Sequence, residues 1–254
     1  MKAKKWLGQN FLKNKITLRE IADAAEISSR DTILEIGPGH GELTEILASR
    51  AKKIVAVEKD ADLIRLLREK FQKQKNVKIL QGDILKFHLG YSDEFLGHSG
   101  RYKIVANLPY YITSRFLRIF LSDKKLRPAL AVLMLQYEVA KRICARPPEM
   151  NLLALSVQAY GRPKFVKKVS KKYFSPEPKV DSGIIKISEI SDRWFKQNDI
   201  APEKFFEILQ AAFRQKRKML RHSLKKFPIP EIFSEKRPQE LPLEDWKKLI
   251  NYRD

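Results

Sequence analysis

The sequence predicts an α/β fold: a mostly parallel sheet covered by helices on both faces, followed by a small helical domain. Three observations carry this. Short apolar runs alternate with amphipathic stretches from about residue 17 to 160, the pattern of buried strands joined by crossover helices. Two more strand-like runs follow, KFVKKVS and SGIIKIS. After about Ser191 strand patterns cease, and prolines at 228, 230, 238 and 242 break up the tail. The expected domains are 1–190 and 191–254.

The elements follow in order. ITLREIADAAEI (16–27) spaces its apolar residues as a helix does, and TILEI (32–36) is a short buried strand. GELTEILASRA (41–51) returns to helix and KIVAVE (53–58) to strand. DADLIRLLREKFQ (60–72) is amphipathic, with Leu63, Leu66, Leu67 and Phe71 on one side. VKILQ (77–81) and KIVAN (103–107) are strands, SRFLRIFL (114–121) a helix and ALAVLMLQ (129–136) a strand. EVAKRICA (138–145) and LLALSVQAY (152–160) are helices of the same domain. KFVKKVS and SGIIKIS are expected as an antiparallel pair at the sheet edge. PEKFFEILQAAFRQKRKMLRHSLKKF (202–227) reads as one long helix without a strand partner.

Charge bounds the partner. Lys and Arg number 51 against 30 Asp and Glu, a formal +21, and such a field calls for a polyanion. A heat-adapted surface rich in Lys and Glu explains many charges but not so large an imbalance. Cys144 is the single cysteine, so no disulfide framework or zinc ribbon forms within one chain, and no metal site is expected. The apolar run ALAVLML is too short to span a bilayer, and MKAKKWLGQNFLKN has lysines but no apolar stretch after them. The expectation is a soluble cytoplasmic monomer with no membrane partner.

Four strand ends carry the chemistry. LEIGPGHGEL joins the first strand to a helix, and Gly37, Gly39 and Gly41 let the backbone turn sharply beside a ligand. The dinucleotide pattern fails, because the position needing Gly or Ala is Glu42. Glu35 and Glu42 would repel an anion there but not a sulfonium cation. Glu58 ends the second strand, placed to accept ribose hydroxyls, and Asp83 in LQGDIL ends the third, placed to meet an adenine amino group.

The fourth strand ends in NLPYYITS (107–114). With S-adenosylmethionine beside it, an amine on a planar ring is the methyl acceptor to expect. The Asn107 oxygen and a backbone carbonyl of Leu108 or Pro109 can accept both amino hydrogens. Pro109 stiffens the segment, and Tyr110 offers a ring face for stacking. Tyr111 is expected in the core.

GQNFL, LEIGPGHGELT, VEKD, GDIL, NLPYYITS and FSPEPKVDSG, in this order from about Trp6 to Leu224, resemble the small-subunit ribosomal RNA adenine N6,N6-dimethyltransferases, the enzymes linked to kasugamycin resistance. The resemblance implies a Rossmann-like methyltransferase domain with a small helical domain behind it. It implies S-adenosyl-L-methionine as cofactor, S-adenosyl-L-homocysteine as product, and 16S rRNA within a small-subunit precursor as partner. The implied activity is two methylations on each of two neighbouring adenines near the 3′ end, in ribosome biogenesis. By position, Asn10 and Leu12 contact the cofactor, Gly37 approaches its methionine part, Glu58 its ribose and Asp83 its adenine. Asn107 lies between cofactor and amine, and Phe174 covers the base opposite Tyr110. A strand-edge core position is the other reading of Phe174. The chain departs from the family at MNLLALSVQAY (150–160), where a Tyr-Gly pair is missing, so no RNA contact is carried over there.

Three acid-free basic runs suit phosphate contacts: 213–226, 161–173 and MKAKK. Arg214, Lys216, Arg217, Lys218 and Arg221 in the first, with Lys167 and Lys168 in the second, are the expected RNA-binding residues. Two other functions compete: a related enzyme of the large subunit, and an RNA-binding assembly or transcription factor on a retained fold. Intact Glu58, Asp83, Asn107 and Tyr110 argue against the latter.

Overall fold

The computed structural model describes Lys4, residues 7–89 and residues 102–252, without the side chains of 87–89. Its centre is a seven-stranded sheet of β2 (Thr32–Ile36), β3 (Lys53–Glu58), β4 (Val77–Gln81), β5 (Tyr102–Asn107), β6 (Leu130–Gln136), β7 (Arg162–Val169) and β9 (Ser182–Ser188), in the order β4-β3-β2-β5-β6-β9-β7. The first five strands are parallel; β9 is antiparallel to both β6 and β7, so the two late strands form the expected edge.

The register explains the apolar runs. Ile33, Ile54 and Val105 bury one face with Leu18, Ile21 and Leu47 of helices α1 (Lys15–Ala24) and α2 (Glu42–Ala48). Leu34, Val55 and Ile104 alternate with them and are equally buried on the other face. On the first face, α3 (Ala61–Lys70) packs its Leu63 and Leu67 against Val77 and Ile79 of β4. The strand order reverses between β2 and β5, which leaves a crevice at their carboxyl ends, where such folds bind ligands.

A second pairing was not legible in the sequence. Phe11–Leu12 (β1) and Phe174–Ser175 (β8) form a separate two-stranded antiparallel ribbon, and Lys13 N–H extends it to the Tyr173 carbonyl (2.8 Å).

The chain divides into two compact units: 1–140 with 162–190, and 141–161 with 191–254. Residues 141–161, expected within the first domain, therefore belong to the second. Gln158 Nε2 donates to the carbonyls of Ile143 (3.3 Å) and Ala145 (2.9 Å), and the Tyr160 ring lies 4.9 Å from that of Phe195. An amphipathic pattern reveals that a helix has a buried face, not which partner buries it.

The expected long helix at 202–227 is also corrected. One helix ends at Arg214, residues 215–218 form an exposed turn, and a short helix resumes at Leu220–Ser223. Between Phe213 and Met219 lie four cations and a Gln with nothing apolar to hold a turn against a core, and like charges three and four apart repel along a helix. Leu220 and Leu224 still reach the interior.

Candidate active site

The cleft lies at the carboxyl ends of β2 to β5, enclosing about 1070 Å³ including its open mouth. Every expected cofactor residue except Gly41 lines it: Asn10, Leu12, Glu35, Gly37, Gly39, Glu58, Asp83 and Asn107.

Two glycines shape the first turn. A Cβ on Gly39 (φ +61°) would lie 2.9 Å from the Phe11 ring, and one on Gly41 (φ +81°) 2.7 Å from Phe71. Both backbones are left-handed, so any other residue would add strain to collision. The turn is then tied to β3, with Gly37 N–H donating to the Val57 carbonyl (3.0 Å) and Gly39 N–H to Glu58 Oε2 (3.4 Å).

Glu35 sits beneath this turn, 1% exposed, and its Oε2 has no partner. Burial, reinforced by the neighbouring Glu58 and Glu42 charges, pushes its pKa up to about 8. This corrects the expected role as a standing negative charge. At neutral pH the free carboxyl is mostly protonated, and an arriving cation would favour the ionised form.

Glu58 is 7% exposed and its Oε1 accepts the N–H groups of Lys59 (2.8 Å) and Asp60 (2.9 Å). Burial still holds its pKa above the ordinary value. Asp83 accepts from Leu85 N–H (3.0 Å) and pairs with Lys59 (3.1 Å). Burial works upward on Asp83, but those two partners hold it below the usual carboxylate range. A ligand amino group at Asp83 would share the carboxylate with Lys59.

Lys4 and residues 7–13 form a strap along the cleft. Its latch is Asp60, whose carboxylate accepts from Lys4 Nζ (2.6 Å) and Gln9 Nε2 (2.8 Å) while its own N–H holds Glu58. Lys4 also pairs with Asp62 (2.8 Å), and Lys13 with Glu42 (2.9 Å). Leu12, expected at the cofactor, is also packed in the apolar core. Gln9 and Asp60 escaped sequence reasoning, although both stand inside quoted motifs, because a pairing across fifty positions exists only in the fold. Asp60→Ala is expected to weaken S-adenosylmethionine binding by about 1.5–3 kcal/mol, the range for hydrogen bonds to a charged group, chiefly by faster dissociation. Stopped-flow dissociation of the cofactor checks this, and an unchanged rate would remove the latch role.

At the fourth strand end, Asn107 Nδ2 donates to the Asn10 carbonyl (3.2 Å), which turns its oxygen away from the strap. Leu108 N–H donates to Met134 (3.1 Å). The Pro109 carbonyl is used by Ile112 N–H (3.2 Å), whereas that of Leu108 accepts from no described residue. Of the two backbone acceptors considered, Leu108 is the one left open. Tyr110 is half-buried, its hydroxyl hydrogen-bonded to Ser182 Oγ (2.8 Å), and Ser182 is wholly buried. Ser182 is a third residue missed; it is the second serine of FSPEPKVDSG.

Two aromatic expectations are corrected. Phe174 is 6% exposed and packs in the core with Leu12 and Leu18, so it offers no ring face to a base in this state. Its pairing with the strap drives it inward, which sequence could not show. Tyr111, expected in the core, is 60% exposed at the mouth of the cleft. The 3₁₀ turn at Tyr110–Ile112 directs Ile112 into the core instead.

The basic residues divide. Lys167 pairs with Glu20 (2.6 Å), Lys168 with Asp181 (2.9 Å) and Arg221 with Glu235 (2.8 Å), so these three cations are engaged within the protein. Arg214, Lys216, Arg217 and Lys218 are exposed and make no ion pair among the described residues. Lys2 and Lys5 of MKAKK lie outside the described residues.

Comparison with known proteins bears on this geometry. Residues 1–239 match the family described as ribosomal RNA adenine dimethylase. The chain is 42% identical to a ribosomal RNA small subunit methyltransferase A of Dehalococcoides mccartyi, covering 98% of this chain and 88% of that protein. A protein of the same name from Clostridium botulinum is 37% identical, with 98% and 93% covered. Among solved structures, a dimethyladenosine transferase from Plasmodium falciparum superposes with a TM-score of 0.78 at 27% identity, covering 94% of this chain and 95% of that one. The 23S rRNA methyltransferase ErmE shares the fold at a TM-score of 0.73 and 24% identity, with 95% and 98% covered. With its cleft at the switch point of a Rossmann-like sheet and its motifs gathered there, the chain belongs to the ribosomal RNA adenine dimethylase family.

Proposed function

We propose that this protein dimethylates the N6 amines of two adjacent adenines near the 3′ end of small-subunit (16S) rRNA, using S-adenosylmethionine, during assembly of the small subunit in the cytoplasm. The observation that carries this is the pair of acceptors at the end of β5: the Asn107 oxygen, turned from the strap by Asn10, and the open carbonyl of Leu108.

The residues present suit the cofactor. Glu58 and Asp83 are acceptors for a ribose and an adenine amine, and the orphan Oε2 of Glu35 faces a site for a cation. S-adenosylmethionine supplies, when bound, an electrophilic methyl group on a sulfonium. The exocyclic nitrogen of adenine is a poor nucleophile because its lone pair is delocalised into the ring. Accepting both of its hydrogens, Asn107 and Leu108 draw it toward tetrahedral geometry and localise that pair. Tyr110, tethered through its hydroxyl to buried Ser182, steadies the base. No base is needed before attack, since the nitrogen becomes strongly acidic only once methylated. Alignment supplies much of the rate. In the second round one hydrogen remains, so a single acceptor bond serves.

Methyl transfer from labelled S-adenosylmethionine to purified small and large subunits, followed by mapping of the modified adenines, tests this. Label in two neighbouring adenines of the small-subunit RNA is expected. Label confined to large subunits would transfer the protein to the rival class, and none in either would overturn the activity.

Arg214 and the exposed turn at 215–218 are expected to supply phosphate contacts. Replacing Arg214, Lys216, Arg217 and Lys218 by Gln should lower the slope of log K against log salt by about 3, at roughly 0.7–0.9 per contact. Cofactor affinity should stay constant. An unchanged slope would exclude this turn from the RNA interface.

A further inference from the structure

In both motifs assigned to the target base, the assigned aromatic is the more buried of two adjacent rings and its neighbour the more exposed. Tyr110 is half-buried while Tyr111 is 60% exposed; Phe174 is 6% exposed while Tyr173 is 42% exposed. Among the described residues of the first unit, Tyr111 and Tyr173 are the two large aromatic side chains left exposed. We propose that these rings are stacking platforms for the unpaired nucleotides that flank the target adenine. The inference rests on the function proposed above.

The strap sets both platforms. The Tyr111 ring packs beside Gly8, where a Cβ would lie 3.4 Å from its edge, so backbone supports the ring while much of it stays open to solvent. Tyr173 is fixed at the far end, its carbonyl accepting Lys13 N–H (2.8 Å). Gly8 and Lys13 are at most about 17 Å apart along an extended strap, a reach of a few nucleotides of single strand. A cation accompanies each ring. Lys59, paired with Asp83, lines the cleft with Tyr111, and Lys172, next to Tyr173 in the chain, is exposed without an ion pair among the described residues. Rings presented beside lysines suit single-stranded nucleic acid, because every base has a face to stack and every nucleotide a phosphate. An exposed ring seated on backbone also loses little freedom on stacking.

The test uses undermethylated small subunits, and a synthetic RNA hairpin carrying 2-aminopurine on either side of the target. Tyr111→Ala and Tyr173→Ala are each expected to raise KM for subunits about 5- to 150-fold, with kcat at saturation and cofactor affinity retained. Tyr111→Phe and Tyr173→Phe should behave as wild type. The change in 2-aminopurine fluorescence on binding should vanish at one flank in each Ala variant. The proposal fails if KM is unchanged, or if the Phe variants are as impaired as the Ala variants. It fails for Tyr111 if the loss is one of cofactor affinity, which would make that ring a cover of the strap. Loss of affinity for subunits but not for the hairpin would assign the rings to a ribosomal protein and overturn it. If wild-type protein methylates subunits while both Ala variants bind normally, only the platforms fall. If wild type transfers no methyl group, the function falls first, and the fluorescence of the hairpin still judges the rings.

Discussion

Asn107→Ala should abolish nearly all turnover while the fold persists. The side chain stands at the end of β5 with its amide nitrogen on the Asn10 carbonyl, so its oxygen is aimed before any substrate arrives. Preorganised acceptors contribute most where charge develops, here on the amine nitrogen as it attacks the methyl group. Losing one should lower kcat by at least about tenfold, which is about 1.4 kcal/mol, and more if Leu108 alone cannot align the amine. Single-turnover methylation with saturating RNA and cofactor is the measurement. A rate above about a tenth of wild type would contradict the role. Asn107→Asp is an instructive companion: it retains an oxygen but cannot donate to Asn10, so any rescue reports on the acceptor rather than the strap.

Glu58→Ala is expected to weaken S-adenosylmethionine binding by about 1.5–3 kcal/mol, the range for hydrogen bonds to a charged group, while RNA affinity barely changes. The carboxylate is also a local hub, accepting N–H groups from Gly39, Lys59 and Asp60. Its removal therefore leaves the glycine turn and the latch loop without their shared acceptor. Glu58→Gln keeps an acceptor oxygen and separates the two effects, since affinity near wild type in Gln but not in Ala would credit geometry over charge. Calorimetric titration decides, and an unaltered affinity in Glu58→Ala would take Glu58 out of the site.

The parallel core was legible because it is local in period. Strands buried on both faces must be continuously apolar, and Ile33, Val55 and Ile104 obey this without reference to their neighbours. The ligand end was legible for a related reason: a parallel sheet brings the carboxyl ends of its strands to one edge, so Gly37, Glu58, Asp83 and Asn107 converge by topology alone. Phe174 shows the limit. Its motif fixes its place in the chain, but whether the ring faces solvent or core follows from pairing with a strap some 160 residues earlier, and no local pattern records that register.

By itself, then, the sequence determined the layered fold, the four strand-end residues and the polyanionic character of the partner, because periodicity, glycine conformation and charge are properties of short stretches. Only the tertiary structure decided that Asp60 latches the strap, that Leu108 rather than Pro109 keeps an open carbonyl, that Ser182 tethers Tyr110, and that Tyr111 and Tyr173 are the exposed rings. Each of these depends on which distant groups compete for the same hydrogen bond or the same buried volume, and that competition is settled only when the whole chain is packed.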